Sequence, residues 1–135
     1  MKVFSTSMHA KIDYIAGIFF LASPWIFDFT ESVPAVWTVI AVAATALTMS
    51  IFTDYEGGMI RSIPMRIHLI VDILTGALLA ASPWLFGFAD QVYLPHLIMG
   101  LFEISAGLLT TKYSPDHNAH AVVDPNADGV NGSTF

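Results

Sequence analysis

The chain has 135 residues, of which 55% are hydrophobic and only 12% charged, a charged share about half that of an ordinary soluble domain. So little polar surface leaves either massive self-association or lipid as the solvent, and the net charge of −6 averages over acids and bases that lie in different places. The absence of cysteine excludes disulfides, thiolate metal sites and thiol redox chemistry, and the lack of a basic patch interleaved with aromatics argues against nucleic acid as a partner.

Four apolar stretches follow in chain order: Ile12 to Phe29, Val33 to Phe52, Ile67 to Phe88 and Val92 to Thr111. Each is roughly 18 to 22 residues long, and about 20 helical residues cross a ~30 Å hydrocarbon layer. The second stretch has no charged face from Val39 to Met49, unlike the amphipathic helices of soluble proteins. The pattern predicts an all-α membrane protein with four transmembrane helices. A cleaved signal peptide does not fit the first stretch, because Asp13 interrupts it, Pro24-Trp25 follows it and no small-x-small cleavage site is present.

An offset of 59 residues aligns Ser23-Pro24-Trp25 with Ser82-Pro83-Trp84 and pairs His9 with His68, Asp13 with Asp72, Gly17 with Gly76, Phe27 with Phe86 and Phe29 with Phe88. After a one-residue gap, Thr53-Asp54-Tyr55 falls on Thr111-Lys112-Tyr113. The chain therefore reads as a duplicated two-helix unit, with repeats at about 9–55 and 68–113 inside a transmembrane domain of 1–113. Two spans per unit make both copies enter the membrane from the same side, related by a pseudo-twofold axis along its normal.

All five basic residues, Lys2, Lys11, Arg61, Arg66 and Lys112, fall on one side of these spans, whereas the other two connections hold Asp28, Glu31 and Asp90. The positive-inside rule places both termini in the cytoplasm and the Ser-Pro-Trp ends outside. From Ser114 to Phe135 the sequence turns rich in Asp, Asn, Gly and Pro and reads as a flexible cytoplasmic tail, with His117 and His120 as solvated residues.

The segments Leu21-Ala22-Ser23-Pro24-Trp25-Ile26-Phe27-Asp28-Phe29 and Ala80-Ala81-Ser82-Pro83-Trp84-Leu85-Phe86-Gly87-Phe88 resemble the SPW-repeat family of small bacterial membrane proteins. That family is defined by this motif in the first of two transmembrane helices. The resemblance covers roughly residues 9 to 113 and implies a fold and an inner-membrane location, with no catalytic residue to carry over. Physically, Pro24 and Pro83 are expected to kink or end their helices. Ser23 and Ser82 can bond back to carbonyls that the prolines leave unpaired. Trp25 and Trp84 suit headgroup depth, with Phe27, Phe29, Phe86 and Phe88 along the interface. Pro34 and Pro95 suit the first turn of the next helix. The motif has two readings: a structural corner, or the lining of an outward-facing pocket for an apolar or quinone-like ligand.

Asp13, Asp72 and Glu103 fall inside the predicted spans, where an exposed charge costs several kcal/mol. Twelve residues separate each Asp from its Trp, ~18 Å at helical rise, and Glu103 lies ~12 Å past Pro95. His9 and His68 precede the aspartates by four residues and share their helix faces. If those faces converge, His9, Asp13, His68, Asp72 and Glu103 form one polar cluster. Its readings are structural glue across the helix interface, a proton relay, a divalent metal site with mixed nitrogen and oxygen ligands, or haem ligation by the two histidines. In the structural reading His9 and His68 reach the headgroups, and His96 is interfacial. Glycines 17, 76, 100 and 107, with Ala41, Ala43, Ala44 and Ala46, permit close helix contacts.

No nucleophile–base pair, phosphate loop or HExxH helix is present, so enzymatic activity is not expected. The expected function is a structural or accessory membrane protein that oligomerises or docks on a larger complex. Proton- or ion-coupled transport through the intramembrane carboxylates is the alternative. No cofactor is expected, and a haem or metal at His9 and His68 is the lesser possibility.

Overall fold

The computed structural model describes residues 3–112, so Lys2 and the segment from Tyr113 onward, with His117 and His120, lie outside the described residues. Four helices follow in chain order: α1 (Thr6–Ile26), α2 (Val33–Phe52), α3 (Met65–Leu85) and α4 (Leu94–Leu109). Two short strands, β1 (Thr53–Asp54) and β2 (Ile63–Pro64), lie between α2 and α3. Helices α2 and α3 are long and apolar enough to cross a membrane. Helix α1 matches α3 in length at 21 residues, with His9, Lys11 and Asp13 in its first half. Helix α4 has 16 residues.

Capping chemistry places the helix ends where hydrophobicity alone does not. Helix α1 begins at Thr6 rather than near Ile12, because the Ser5 hydroxyl accepts the Met8 N–H at 3.2 Å, satisfying a donor that the first turn leaves open. Pro34 and Pro95 stand in the first turns of α2 and α4, where the missing N–H costs nothing.

The Ser-Pro-Trp segments do not end their helices at the proline. Both helices continue through Pro24 and Pro83 to Ile26 and Leu85. Each proline deprives the carbonyl four residues back of its usual donor. The preceding serine replaces it: Ser23 Oγ donates to the Phe20 carbonyl and Ser82 Oγ to the Leu79 carbonyl, both at 2.7 Å. Termination comes a few residues later, at Asp28 (φ 53°) and Gly87 (φ 72°). There the left-handed residue lets the Phe29 and Phe88 N–H groups return to the Pro24 and Pro83 carbonyls at 3.0 and 2.8 Å, the Schellman arrangement. This turn swings Phe29 and Phe88 inward, where they are buried, instead of leaving them along the surface with Phe27 and Phe86. Trp25 and Trp84 point outward, 70% and 58% exposed.

Helix α3 packs on α4, α1 on α2, and α2 on α3. The α3–α4 approach is set by glycines, since a Cβ on Gly100 would press on the Ala80 nitrogen and stand 2.5 Å from the Gly76 carbonyl. The main apolar core lies toward the Ser-Pro-Trp ends and contains Phe20, Val39, Leu79, Phe29, Phe88 and Met99. Large apolar side chains also cover the outside, among them Ile15, Ile18, Leu74, Leu78, Ile98 and Leu101.

At the opposite end, each helix pair is tied to the other by extended backbone. Thr53 pairs with Ile63 and Asp54 with Pro64 in parallel register. In the same way Phe4 bridges Thr110, with the Phe4 N–H on the Leu109 carbonyl at 3.1 Å and the Thr111 N–H on the Phe4 carbonyl at 3.0 Å. The segment entering α3 thus follows the exit of α2, and the segment entering α1 follows the exit of α4.

Candidate functional site

The first turns of α1 and α3 bring His9 and His68 together in the interior. Both are 0% exposed, so neither reaches out toward a headgroup layer. Their rings meet edge to face with centroids 5.3 Å apart. One turn further along each helix, Asp13 and Asp72 point at the same spot, as the four-residue spacing requires. His9 Nε2 lies 3.3 Å from Asp13 Oδ1 and 3.0 Å from Asp72 Oδ2. His68 Nε2 lies 3.1 Å from Asp13 Oδ2 and 3.2 Å from Asp72 Oδ2. Four buried side chains from two helices therefore converge, and four donor atoms, one from each, lie within 4.8 Å of one another.

The other ring nitrogens are held by threonines at the helix exits. Thr53 Oγ1 lies 2.6 Å from His68 Nδ1, and Thr110 Oγ1 lies 2.9 Å from His9 Nδ1. Each hydroxyl gives its single proton to the carbonyl one turn back, Met49 at 2.6 Å and Ala106 at 2.7 Å. Each threonine oxygen must then accept from its histidine, which puts a proton on both Nδ1 atoms. Sequence reasoning missed these two residues. The offset alignment matched Thr53 with Thr111, whereas by position and bonding its counterpart is Thr110, because α4 is shorter than α2. The signal available was a threonine closing an apolar helix in each half.

Further polar neighbours come from the first half of the chain. Ser50 Oγ donates to Asp13 Oδ2 at 3.2 Å, sharing its proton with the Ala46 carbonyl at 2.9 Å. The Tyr55 hydroxyl stands 3.4 Å from the same carboxylate oxygen. Tyr55 lies just past α2 and is 1% exposed. Burial, followed by the nearby Asp13 charge, pushes its phenol well above the usual tyrosine range. Its loop lies on α1, where the Tyr14 hydroxyl donates to the Gly57 carbonyl at 3.0 Å and Thr6 donates to Glu56 at 2.9 Å. This loop and the apolar group Ala10, Tyr55, Met65 and Leu69 wall off the cluster.

Glu103 is brought near but not into the group. Together with Asp13 and Asp72 it lines a neighbouring pocket of about 10 Å³, roughly the room for one water molecule. Its Oε2 is buried with no hydrogen-bond partner among the described residues. This pocket shares Ile12, Ala16, Phe20 and Phe102 with an apolar groove of about 380 Å³ between α1 and α4. His96 is not interfacial: it is 0% exposed, flanked by Phe29 and Phe88 with ring centroids 5.0 and 4.9 Å away, and its Nε2 donates to the Ala35 carbonyl at 3.0 Å. Haem does not fit, because the two histidine rings touch and both carboxylates fill the space beside them.

The fold and site define an all-helical protein with membrane-span-like helices, whose paired helix ends carry a serine-compensated proline and whose interior carries a His–Asp cluster. Residues 7–110 match the SPW repeat domain, and the chain belongs to that family. No curated protein and no solved structure matches it.

Proposed function

We propose that the protein crosses the bacterial inner membrane four times as two parallel two-helix repeats, with both termini cytoplasmic, and serves as a small structural or accessory component. It acts by packing against its own copies or a larger membrane complex. The observation that carries this reading is the division of its surface and interior. The acidic residues of the helices, Asp13, Asp72 and Glu103, are buried in or beside the His–Asp cluster, with room there for about one water, whereas the outer faces are covered by large apolar side chains. Such a protein has much to offer a neighbour in the bilayer and, among the described residues, no wide path for a solute beside the cluster. The reciprocal ties at the helix ends and the matched Ser-Pro turns support the duplicated arrangement. The exposed Trp25 and Trp84 suit the outer interface. Helix α4 spans a shorter distance than its partners, about 24 Å at helical rise, and the adjoining turns make up the rest of the crossing.

The cysteine-free chain makes topology direct to test. In Met59→Cys and Asp90→Cys, an impermeant maleimide added to intact spheroplasts should label Cys at 90 at once and at 59 only after permeabilisation; the reverse pattern would sink the orientation. Native mass spectrometry from lipid discs should show an oligomer or a stable heterocomplex, and a strictly monomeric, partnerless protein would count against the accessory role. A second reading, proton coupling, is favoured by one observation, the unpartnered Glu103 Oε2 beside Asp13 and Asp72. Proton flux in proteoliposomes that disappears in Glu103→Gln would establish it in place of the first.

A further inference from the structure

The His–Asp cluster has a charge problem that its own hydrogen-bond network poses. With Nδ1 protonated toward Thr53 and Thr110, a neutral imidazole presents a lone pair at Nε2. Both Nε2 atoms stand 3.0 to 3.3 Å from carboxylate oxygens, so acceptor would face acceptor in a buried site. Such a cluster is stable only with a proton or a cation between the nitrogens and the oxygens that face them. Two protons, each on an Nε2 or on a facing carboxyl, are one source, and a divalent cation is the other.

The geometry separates them. A proton must lie along a line from the ring nitrogen to an oxygen. His9 Nε2 has such a line, to Asp72 Oδ2. His68 Nε2 has none: it is buried without a hydrogen-bond partner, although two carboxylate oxygens lie within 3.2 Å. A metal ion needs the donors arranged around a common point and not aimed at one another. Tetrahedral ligands at ~2.0–2.1 Å from zinc stand about 3.3 Å apart; with Oδ2 taken from each carboxylate, three nitrogen–oxygen separations of 3.0, 3.1 and 3.2 Å fall close to that edge length, and one donor atom from each residue lies within 4.8 Å of all the others. Two carboxylates and two neutral imidazoles also cancel a double positive charge.

We infer that His9, Asp13, His68 and Asp72 bind one divalent first-row metal ion of the zinc class, through both Nε2 atoms and one oxygen of each carboxylate. Four protein ligands in a closed setting mark a structural site. Thr53 and Thr110 fix the tautomers and aim the rings, the supporting role that outer partners of metal-bound histidines play. Ser50 supports Asp13 in the same manner. Each threonine belongs to the half of the chain opposite its histidine, so an ion here clasps α1 and α3 and, through the threonines, the ends of α2 and α4. The donor set suits zinc, manganese or ferrous iron, and the lack of sulfur ligands disfavours soft ions such as cuprous copper.

The test uses the full chain in lipid discs, stripped with chelator and titrated with Co²⁺. Expected are one bound ion per chain, the intense visible bands of tetrahedral cobalt, and their loss on adding Zn²⁺. The spectrum should persist in His117→Ala/His120→Ala and vanish in His68→Ala. Thr53→Val and Thr110→Val keep all four ligands and should each weaken Co²⁺ binding about 10- to 100-fold. They also serve where a ligand variant fails to fold. A folded wild-type protein that takes up no Co²⁺ or Zn²⁺ would overturn the assignment in favour of the two-proton arrangement. Uptake that follows the tail histidines, or that is indifferent to both threonines, would overturn it equally.

Discussion

The replacement of a backbone donor by a serine hydroxyl predicts a specific coupling between two neighbouring residues. In Ser82→Ala the buried Leu79 carbonyl loses its 2.7 Å donor, and Pro83 has no N–H to offer in its place. An unsatisfied buried carbonyl costs about 1–3 kcal/mol. In a lipid setting the measured worth of a side-chain bond runs lower, roughly 0.6 to 1.7 kcal/mol, so about 1 kcal/mol is expected. Pro83→Ala restores an N–H to the same carbonyl. In that background Ser82→Ala should be nearly neutral, within about 0.3–0.5 kcal/mol, and the two substitutions should be non-additive by about 1 kcal/mol. Unfolding in mixed micelles of increasing SDS fraction measures all four corners of the cycle. The Ser23/Pro24 cycle, built on the same 2.7 Å bond to the Phe20 carbonyl, supplies an independent repeat. If Ser82→Ala costs the same with proline and with alanine at position 83, the hydroxyl is not standing in for the missing donor and the account of the motif fails.

Asp28 and Gly87 occupy the same left-handed turn, so exchanging their residue types should move stability in opposite directions. Asp28→Gly should stabilise by about 0.5–1 kcal/mol, and Gly87→Ala should destabilise by about 1 kcal/mol although its new methyl would meet nothing within 4 Å; equal and like-signed effects in SDS unfolding would contradict the turn geometry. Gly100→Ala should cost several kcal/mol or prevent folding, since its Cβ would press on the backbone of α3, and a variant with wild-type stability would show that the helices stand further apart. The raised Tyr55 phenol keeps its proton more tightly when folded, so its contribution to stability is complete below the unfolded value near pH 10 and is lost as pH climbs above it. Tyr55→Phe should therefore unfold with a shallower pH dependence above about pH 10 than the wild type, and an unchanged slope would remove Tyr55 as its source.

The elements themselves were legible because apolar length is a one-dimensional property that survives without neighbours. The His–Asp faces were legible for a similar reason, as a spacing of four on a helix fixes a shared side. What the pattern concealed depends on places where the chain turns. Phe29 and Phe88 look like surface aromatics in a row with Phe27 and Phe86, and only the left-handed residue between them sends alternate rings to opposite fates. His96 follows Pro95 at the start of a helix, which suggests an exposed end, yet the two returning phenylalanines close over it. Thr110 was hidden by Thr111, because a shortened α4 shifts the register of the last turns and a linear alignment places the gap one residue away. Helix α1 starts earlier than its hydrophobicity indicates because a serine cap and a buried cluster, not lipid-facing residues, hold its first turns.

The reciprocal ties at the helix ends also bear on where the two halves differ. A symmetrical pair of separate, identical hairpins must carry every residue near its axis twice, so a carboxylate there always meets its own image. Joined in one chain through residues 55–62, the halves are free of that obligation. Ala46 faces the small pocket opposite Glu103, and the Ala35 backbone receives His96, so each unmatched polar residue has a small neighbour and not a copy of itself. The shared features, His9 with His68 and Asp13 with Asp72, are the ones that a central charge can use in duplicate. The linker thus does more than hold two units together: it permits a single glutamate and a single histidine to sit where symmetry would have demanded two.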